Sequence, residues 1–175
     1  MIDAGATGLV HEAAIYGDDV EQLVVVVPFV AAGARAGEAV VVVLDRRGAA
    51  RVRAATVEDP RIAYLPQEDT YARPAATLRA LRSHVDRRLA GGAGRVRMVG
   101  AFPSPAVAAS WDAWCRYEAA VDRVFADDPV SLLCAYDARV ATGDVLADAE
   151  QLHHRIALPG GTRVVPRRTT SPEGV

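Results

Sequence analysis

The sequence contains no lysine and no asparagine, and all 20 of its basic residues are arginine. Coding bias in a G+C-rich genome is the simplest explanation of this composition. Whatever its origin, the absence of lysine excludes a P-loop lysine on a nucleotide phosphate, a Schiff base and a lysine general base. Enzyme mechanisms that require a lysine are therefore excluded.

Cysteine and long apolar runs are also scarce. The two cysteines, Cys115 and Cys134, are too few for a disulfide scaffold or a cysteine-based metal site. No apolar run reaches the roughly 20 residues that span a bilayer, and no signal peptide is visible. The net charge of −2 gives no general attraction to nucleic acid or anionic membrane. We therefore expect a cytoplasmic protein that binds neither membrane nor nucleic acid directly.

The length and composition favour one packed domain. A chain of 175 residues with 51% hydrophobic residues is long enough to bury its own core. We expect a flexible N-terminus over residues 1–8, a single domain over residues 9–165, and a disordered tail over residues 166–175.

The stretch from His11 to Asp45 indicates the fold class, because it has the pattern of a strand, a helix and a second strand. The run Val40–Val43 has no polar alternation, which is typical of a strand covered by helices on both faces. Similar units recur along the chain, so the sequence predicts an α/β domain with a mainly parallel, five-stranded sheet in three layers. A small hairpin is predicted near the end, at residues 156–158 and 162–165.

Ligands of such sheets bind beyond the carboxyl ends of the strands. Eight candidate ligand-binding residues are expected at this edge: Tyr16, Asp18, Asp45, Glu68, Tyr71, Phe102, Tyr136 and Asp137. The edge has no glycine-rich phosphate cradle, since Gly17–Val20 lacks the glycines and lysine of a P-loop. Asp45 and Asp137 each follow an apolar strand, as a Walker B aspartate does, but aspartates that cap the next helix are commoner in that position.

Histidines, a cysteine and glutamates outside this edge are further candidates for a site. His153 and His154 could supply metal ligands together with His11 or Cys134, but adjacent helical residues point about 100° apart, and a histidine at a helix end is typically solvated. Cys134 in a strand is typical of a small buried hydrophobe. Glu118 could pair with Glu12, whereas a lone carboxylate usually faces solvent. The sequence therefore predicts no metal and no cofactor, and leaves open whether His11, Cys134 and His153 converge, which would favour a metal.

Several segments together resemble the MEDS family of sensory domains. They are His11–Tyr16, Val27–Val30 before Gly33 and Gly37-Glu38, Tyr117-Glu118, Leu132–Asp137, and a closing helix that ends in histidine. The resemblance spans residues 9–158. This sequence departs from the family pattern after the fourth strand, where Gly100–Pro103 lacks an acid, and at His153-His154, where a proline usually follows the first histidine.

The resemblance implies a RecA/KaiC-like fold without nucleotide-binding motifs, as found at the N-terminus of actinobacterial anti-sigma-factor kinases. It implies a non-enzymatic sensory domain that binds a small, hydrocarbon-like molecule. His11, Glu118, Cys134 and His153 join the eight edge residues as its ligand-binding candidates. No output module follows in this sequence, so the resemblance implies signalling through a regulatory protein or a homodimer.

Two other functions stay open from the residues alone. One is a small hydrolase or transferase that uses carboxylates and tyrosines at the strand ends, with Tyr136 and Asp137 as its test residues. The other is a degenerate nucleotide-binding scaffold, which nucleotides would stabilise.

Overall fold

The computed structural model describes residues 7–101 and 111–165. Within them seven strands form one sheet: β1 (Val10–Tyr16), β2 (Ala39–Leu44), β3 (Ile62–Pro66), β4 (Val96–Ala101), β5 (Val130–Asp137), β6 (Arg155–Leu158) and β7 (Gly161–Val164). The helices are α1 (Asp19–Arg35), α2 (Arg46–Ala55), α3 (Gln67–Thr70), α4 (Pro74–Ala90), α5 (Trp111–Val124) and α6 (Gly143–Leu152). The tail predicted at 166–175 and most of the predicted N-terminal segment lie outside the described residues.

Among the described residues the sheet has seven strands rather than the predicted five. Its order is β3-β2-β4-β5-β1-β6-β7, and every adjacent pair is parallel except β6 with β7. The predicted terminal hairpin is present, but it adds to the sheet because Ala13 and Ala14 pair with Ile156 and Ala157. This pairing satisfies backbone groups on the edge of β1 that would otherwise be exposed.

The central strands are buried on both faces, as their uninterrupted apolar pattern predicts. All six residues of β2 are buried, and they alternate between two clusters. Val41 and Val43 pack with residues of α4 and α5, whereas Val40 and Val42 pack with residues of α1 and α2. Helices thus contact both faces of the sheet, while the RecA/KaiC-like arrangement stays a prediction.

Aspartates begin the two helices that follow β1 and β2. Asp18 accepts hydrogen bonds from the backbone N–H groups of Val20 and Glu21, both at 2.8 Å. Asp45 accepts one from Gly48 at 2.5 Å. Each carboxylate satisfies amides that have no partner within the helix, and for Asp45 this is the capping role expected from the sequence.

The described helices include none that combines the length and the apolar character needed to cross a bilayer.

Candidate functional site

Four ionisable side chains, three from different elements and one from the connection after α6, meet in the interior. They are His11 of β1, Glu118 of α5, Cys134 of β5, and His153 immediately after α6, and each is at most 7% exposed. One ligand-capable atom of each lies within 4.8 Å of those of the other three. The convergence that the sequence left open is therefore present, and we call these residues the His–Glu–Cys–His cluster.

Strand register explains how the cluster forms. Ala13 of β1 pairs with Cys134 of β5, and His11 lies two residues before Ala13, so its side chain is on the same face of the sheet. Tyr136 lies two residues after Cys134 and shares that face. Helices α5 and α6 cover this face, and they bring Glu118 and His153 over the two strands.

His11 is at the centre of the cluster. Its Nε2 atom lies 3.0 Å from His153 Nε2, 3.1 Å from Glu118 Oε2 and 3.3 Å from Cys134 Sγ. Glu118 Oε2 in turn lies 3.6 Å from both His153 Nε2 and Cys134 Sγ. Five of the six distances among these atoms thus fall between 3.0 and 3.6 Å.

Outer hydrogen bonds orient both imidazoles. His11 Nδ1 lies 2.9 Å from Asp122 Oδ1, and His153 Nδ1 lies 2.8 Å from the carbonyl oxygen of Ala149. A carboxylate and a carbonyl oxygen accept hydrogen bonds, so in each ring Nδ1–H donates and the Nε2 atom faces the cluster. Tyr136 donates its hydroxyl to Glu118 Oε1 at 3.3 Å, which holds the carboxylate in place.

Burial and neighbouring charges shift the pKa values of the cluster residues in opposite directions. Burial raises the pKa of Glu118, yet hydrogen bonds and charge from His11 and His153 lower this pKa to about 2. Burial lowers the pKa of His153, whereas hydrogen bonds to Cys134 and Glu118 raise it to about 9. The pKa of His11 is likewise raised well above its ordinary value, because Cys134, Asp122 and Glu118 outweigh burial. The cluster therefore holds a carboxylate against protonated imidazole.

Burial distinguishes the two adjacent histidines. His153 is 1% exposed, whereas His154 is half-buried and takes the outer position expected of one of the two. Glu118 does not face solvent, since it is also 1% exposed. Glu118 follows the buried Trp114 by four residues, so helical spacing places it on the inner face of α5.

Sequence analysis missed Asp122, which orients His11. The signal was available, because Asp122 follows Glu118 by four residues and therefore lies on the same side of α5. Its side chain is 47% exposed, so it links the buried His11 to the surface.

Tyr71 was predicted at the sheet edge, but it is buried against the interior face. Its ring lies 5.8 Å from that of Trp114, and burial raises the pKa of its hydroxyl well above the ordinary value. Gly100 makes room for this ring, because a Cβ atom at that position would lie 1.9 Å from the Tyr71 hydroxyl oxygen. Gly100 pairs with Cys134, so Tyr71 is beside the cluster.

The carboxyl edge of β1 and β5 contains a separate hydrogen-bond network. Arg139 binds Asp137 at 2.6 Å and Asp19 at 3.0 Å, and Gln22 donates to the hydroxyl of Tyr16 at 3.0 Å. Burial raises the pKa of Tyr16 to about 12, with a further contribution from Asp137. The edge candidates Tyr16 and Asp137 are therefore close to each other but not part of the cluster, contrary to the single edge site predicted with Tyr136.

Three other edge candidates, all described by the structure, do not join the cluster. Asp18 and Asp45 cap helices, as described above. Glu68 is exposed on α3, where it lines a different cavity of about 420 Å³ beside β3. Phe102 lies outside the described residues.

A pocket of about 300 Å³ opens beside the cluster. It has three apolar and three polar lining residues: Leu9, Ala126, Leu152, His11, Asp122 and His154. His11 belongs to both the pocket and the cluster, so the pocket gives access to the cluster from the surface.

A second pocket, of about 450 Å³, lies on the opposite face between α1 and the β6–β7 hairpin. Its lining is largely apolar, and it contains Phe29, Arg97 and Arg155. Arg97 is ion-paired with Glu38 at 2.6 Å, and Arg155 with Glu12 at 2.5 Å.

Comparison with protein-family models matches residues 10–154 to MEDS, described as the methanogen/methylotroph, DcmR sensory domain. The chain belongs to the MEDS family. The matched segment begins in β1 and ends just after His153, so this MEDS domain contains the whole His–Glu–Cys–His cluster. Comparison with curated proteins finds no match.

Proposed function

We propose that this MEDS domain is a non-enzymatic sensor that binds a small molecule at the His–Glu–Cys–His cluster and signals to a regulatory partner. The observation that carries the proposal is the convergence of His11, Glu118, Cys134 and His153 beside an accessible pocket. Burying ionisable groups costs free energy that an apolar core would avoid, and strongly shifted pKa values concentrate at functional sites. Membership of a sensory family supports the same interpretation.

The pocket beside the cluster favours a ligand of mixed character. Its volume of about 300 Å³ is at the small end of ligand sites. Leu9 and Leu152 offer an apolar surface, whereas His11 and His154 offer polar atoms. A short hydrocarbon that carries one polar group, such as an alcohol, an aldehyde or a thiol, fits this chemistry.

The position of His153 supports a route for the signal. It lies between the end of α6 and the start of β6, and its Nδ1–H bonds back to Ala149 within the helix. A ligand that displaces His153 would change how the β6–β7 hairpin meets α6. Since β7 is exposed throughout at the edge of the sheet, a partner has access to this hairpin.

The absence of catalysis is part of the proposal. Its support is that Asp18 and Asp45 cap helices and that Asp137 binds Arg139, so these carboxylates already have structural tasks. We further propose a transcriptional or anti-sigma-factor partner and a RecA/KaiC-like arrangement, as the resemblance implies. Turnover of any substrate that disappears in folded Asp137→Ala and Tyr136→Phe proteins would contradict the non-enzymatic assignment.

A pocket-filling variant tests the sensing site. Short alcohols, aldehydes, amines and thiols are screened by thermal shift, and hits are measured by calorimetry, with wild type and Ala126→Trp. Ala126 is exposed and lines the pocket, so a large side chain there blocks it without entering the core. Ala54→Trp, at an exposed position of α2, is the matched control.

We expect at least one compound class to stabilise wild type and Ala54→Trp but not Ala126→Trp. A ligand that binds Ala126→Trp normally and loses affinity in Thr162→Trp would instead place the sensing site in the pocket on the α1 face, which Thr162 lines. No stabilisation by any class would contradict small-molecule sensing.

The partner is tested separately from the ligand. Light scattering coupled to size exclusion measures whether the protein is a dimer, with and without a hit compound. We expect the hit compound to change the number of subunits. Alternatively, we expect the protein to capture a regulatory protein in a way that depends on both the ligand and β7. Identical behaviour in both states, with no captured regulator, would contradict the signalling role.

A further inference from the structure

We propose that the His–Glu–Cys–His cluster is a binding site for a divalent transition-metal ion, with zinc as the preferred ion. The ligands are Nε2 of His11, Oε2 of Glu118, Sγ of Cys134 and Nε2 of His153. As an account of how the domain senses, this rests on the proposed function, but binding of the ion is measured without any small molecule.

The ligand atoms of all four side chains face the centre of the cluster. Both imidazoles use Nδ1–H for an outside acceptor, so each Nε2 directs its lone pair inward when the ring is neutral. The carboxylate of Glu118 and the sulfur of Cys134 face the same point. Four donors at such short range repel one another unless positive charge lies between them. A proton shared by His11 and His153 supplies some of it, and a divalent ion supplies more.

Five of the six distances among the four ligand atoms are close to those of a tetrahedral site, and the sixth is at most 4.8 Å. Zinc bonds of about 2.0–2.3 Å place ligand atoms about 3.3–3.7 Å apart. The five distances given above run from 3.0 to 3.6 Å. An ion therefore needs only a small outward movement of the side chains around His11.

The hydrogen bonds between the cluster and its surroundings are of the kind that orients metal ligands. Histidine ligands usually donate their second N–H to a carboxylate or a backbone carbonyl, which fixes the tautomer. His11 donates to Asp122 and His153 to the carbonyl of Ala149. Tyr136 holds the far oxygen of Glu118 in the same way. Three of the four ligands thus have supporting partners.

The donor set favours zinc. Two imidazoles, one thiolate and one carboxylate are borderline to soft ligands, and a tetrahedral arrangement of nitrogen and sulfur is typical of zinc. Calcium and magnesium require mainly oxygen ligands, of which the cluster offers one side chain. The pocket lined by His11 and His154 provides access for the ion.

The first experiment uses the wild-type protein. After dialysis against a chelator, it is titrated with Co²⁺ and then with Zn²⁺, while absorption and metal content are measured. We expect one equivalent of metal per chain, tetrahedral Co²⁺ bands, a thiolate-to-cobalt charge-transfer band, and displacement of Co²⁺ by Zn²⁺. This experiment needs no variant, so it does not depend on whether a core substitution folds.

Variants then assign the ligands. Cys134→Ser is expected to lose the charge-transfer band, whereas Cys115→Ser, which changes the cysteine outside the cluster, keeps it. Asp122→Asn changes a half-exposed outer partner and should fold, and we expect it to weaken zinc binding about 10- to 100-fold. His84→Gln, on α4, is the control for a histidine elsewhere.

Substoichiometric metal, a spectrum without the sulfur band, or equal affinity in wild type and Asp122→Asn would overturn the metal site. Stoichiometric zinc with no response to any small molecule would instead overturn sensing and leave the ion in place. A small molecule that binds equally to zinc-loaded and chelator-treated protein would support sensing without the ion.

Discussion

The Nε2 atoms of His11 and His153 lie 3.0 Å apart, although the two residues are separated by 142 positions in the sequence. At this distance the two nitrogens share one proton, because two N–H groups cannot point at each other. Glu118, within 3.1 Å of His11 and 3.6 Å of His153, balances the resulting charge. A proton or an ion between these two nitrogens therefore determines the net charge of the cluster.

The stability of the metal-free protein should fall at alkaline pH. The pKa of His153 is about 9 in the folded protein and 6.5 ordinarily, so the folded state binds more protons between these values. This contribution to the free energy of unfolding is complete below about pH 6.5 and is lost as pH rises through about 9, by up to about 3 kcal/mol. Urea unfolding with chelator at several pH values measures it.

Zinc should reverse this dependence, because ligands must lose protons to bind the ion. The stability gained from saturating zinc is expected to grow as pH rises towards about 9, where His153 loses its proton without the ion. A zinc effect independent of pH would count against coordination by the histidines. His84→Gln should retain both pH profiles, since this residue is on α4 and away from the cluster.

Glu118→Gln should destabilise the metal-free protein strongly. Glutamine has the same shape but cannot balance the positive charge that His11 and His153 share, and breaking a buried ion pair costs about 3–5 kcal/mol. Glu150→Gln is the matched control, because Glu150 forms an exposed pair with Arg163, and such pairs contribute about 0–1 kcal/mol. Denaturant unfolding of both variants gives the comparison. Similar small losses in both would mean that Glu118 carries no charge in the folded protein.

Gly100→Ala should destabilise the domain and disturb Tyr71. The new Cβ would lie 1.9 Å from the Tyr71 hydroxyl oxygen, and overpacking of this kind typically costs about 1–3 kcal/mol. Adding Tyr71→Phe should restore part of the loss, because the nearest clashing atom is removed. Gly94→Ala is the control, since its Cβ would meet no atom within 4 Å. Equal unfolding midpoints for the two alanine variants would contradict the close contact.

Millimolar ATP or GTP should not raise the melting temperature. The amides at the start of α1, which bind phosphate in P-loop proteins, already donate to Asp18, and Glu21 accepts from Gly17. Both carboxylates repel a phosphate group. Asp18→Ser keeps a capping oxygen and removes one charge, so it controls for that repulsion. Stabilisation of wild type by nucleotide would support the nucleotide-binding alternative.

The spacing of residues along α5 indicates which of its side chains face the site. Trp114, Glu118 and Val121 recur at intervals of four and three residues, so the inner face of α5 includes a carboxylate. Asp122 follows on the same side. These positions are readable from sequence because they depend only on helix geometry. The choice between His153 and His154 is not, because it depends on how the chain leaves α6.

The sequence by itself determined the α/β class, the strand–helix–strand unit between His11 and Asp45, the terminal hairpin and the cap at Asp45, because these depend on local periodicity, turn residues and backbone amides a few positions away. The tertiary structure alone decided the rest. The β6–β7 hairpin joins the sheet because β1 offers it an edge, and the cluster forms because strand register and helix packing unite His11, Glu118, Cys134 and His153. Contacts across more than a hundred positions depend on how elements pack, which no local pattern specifies.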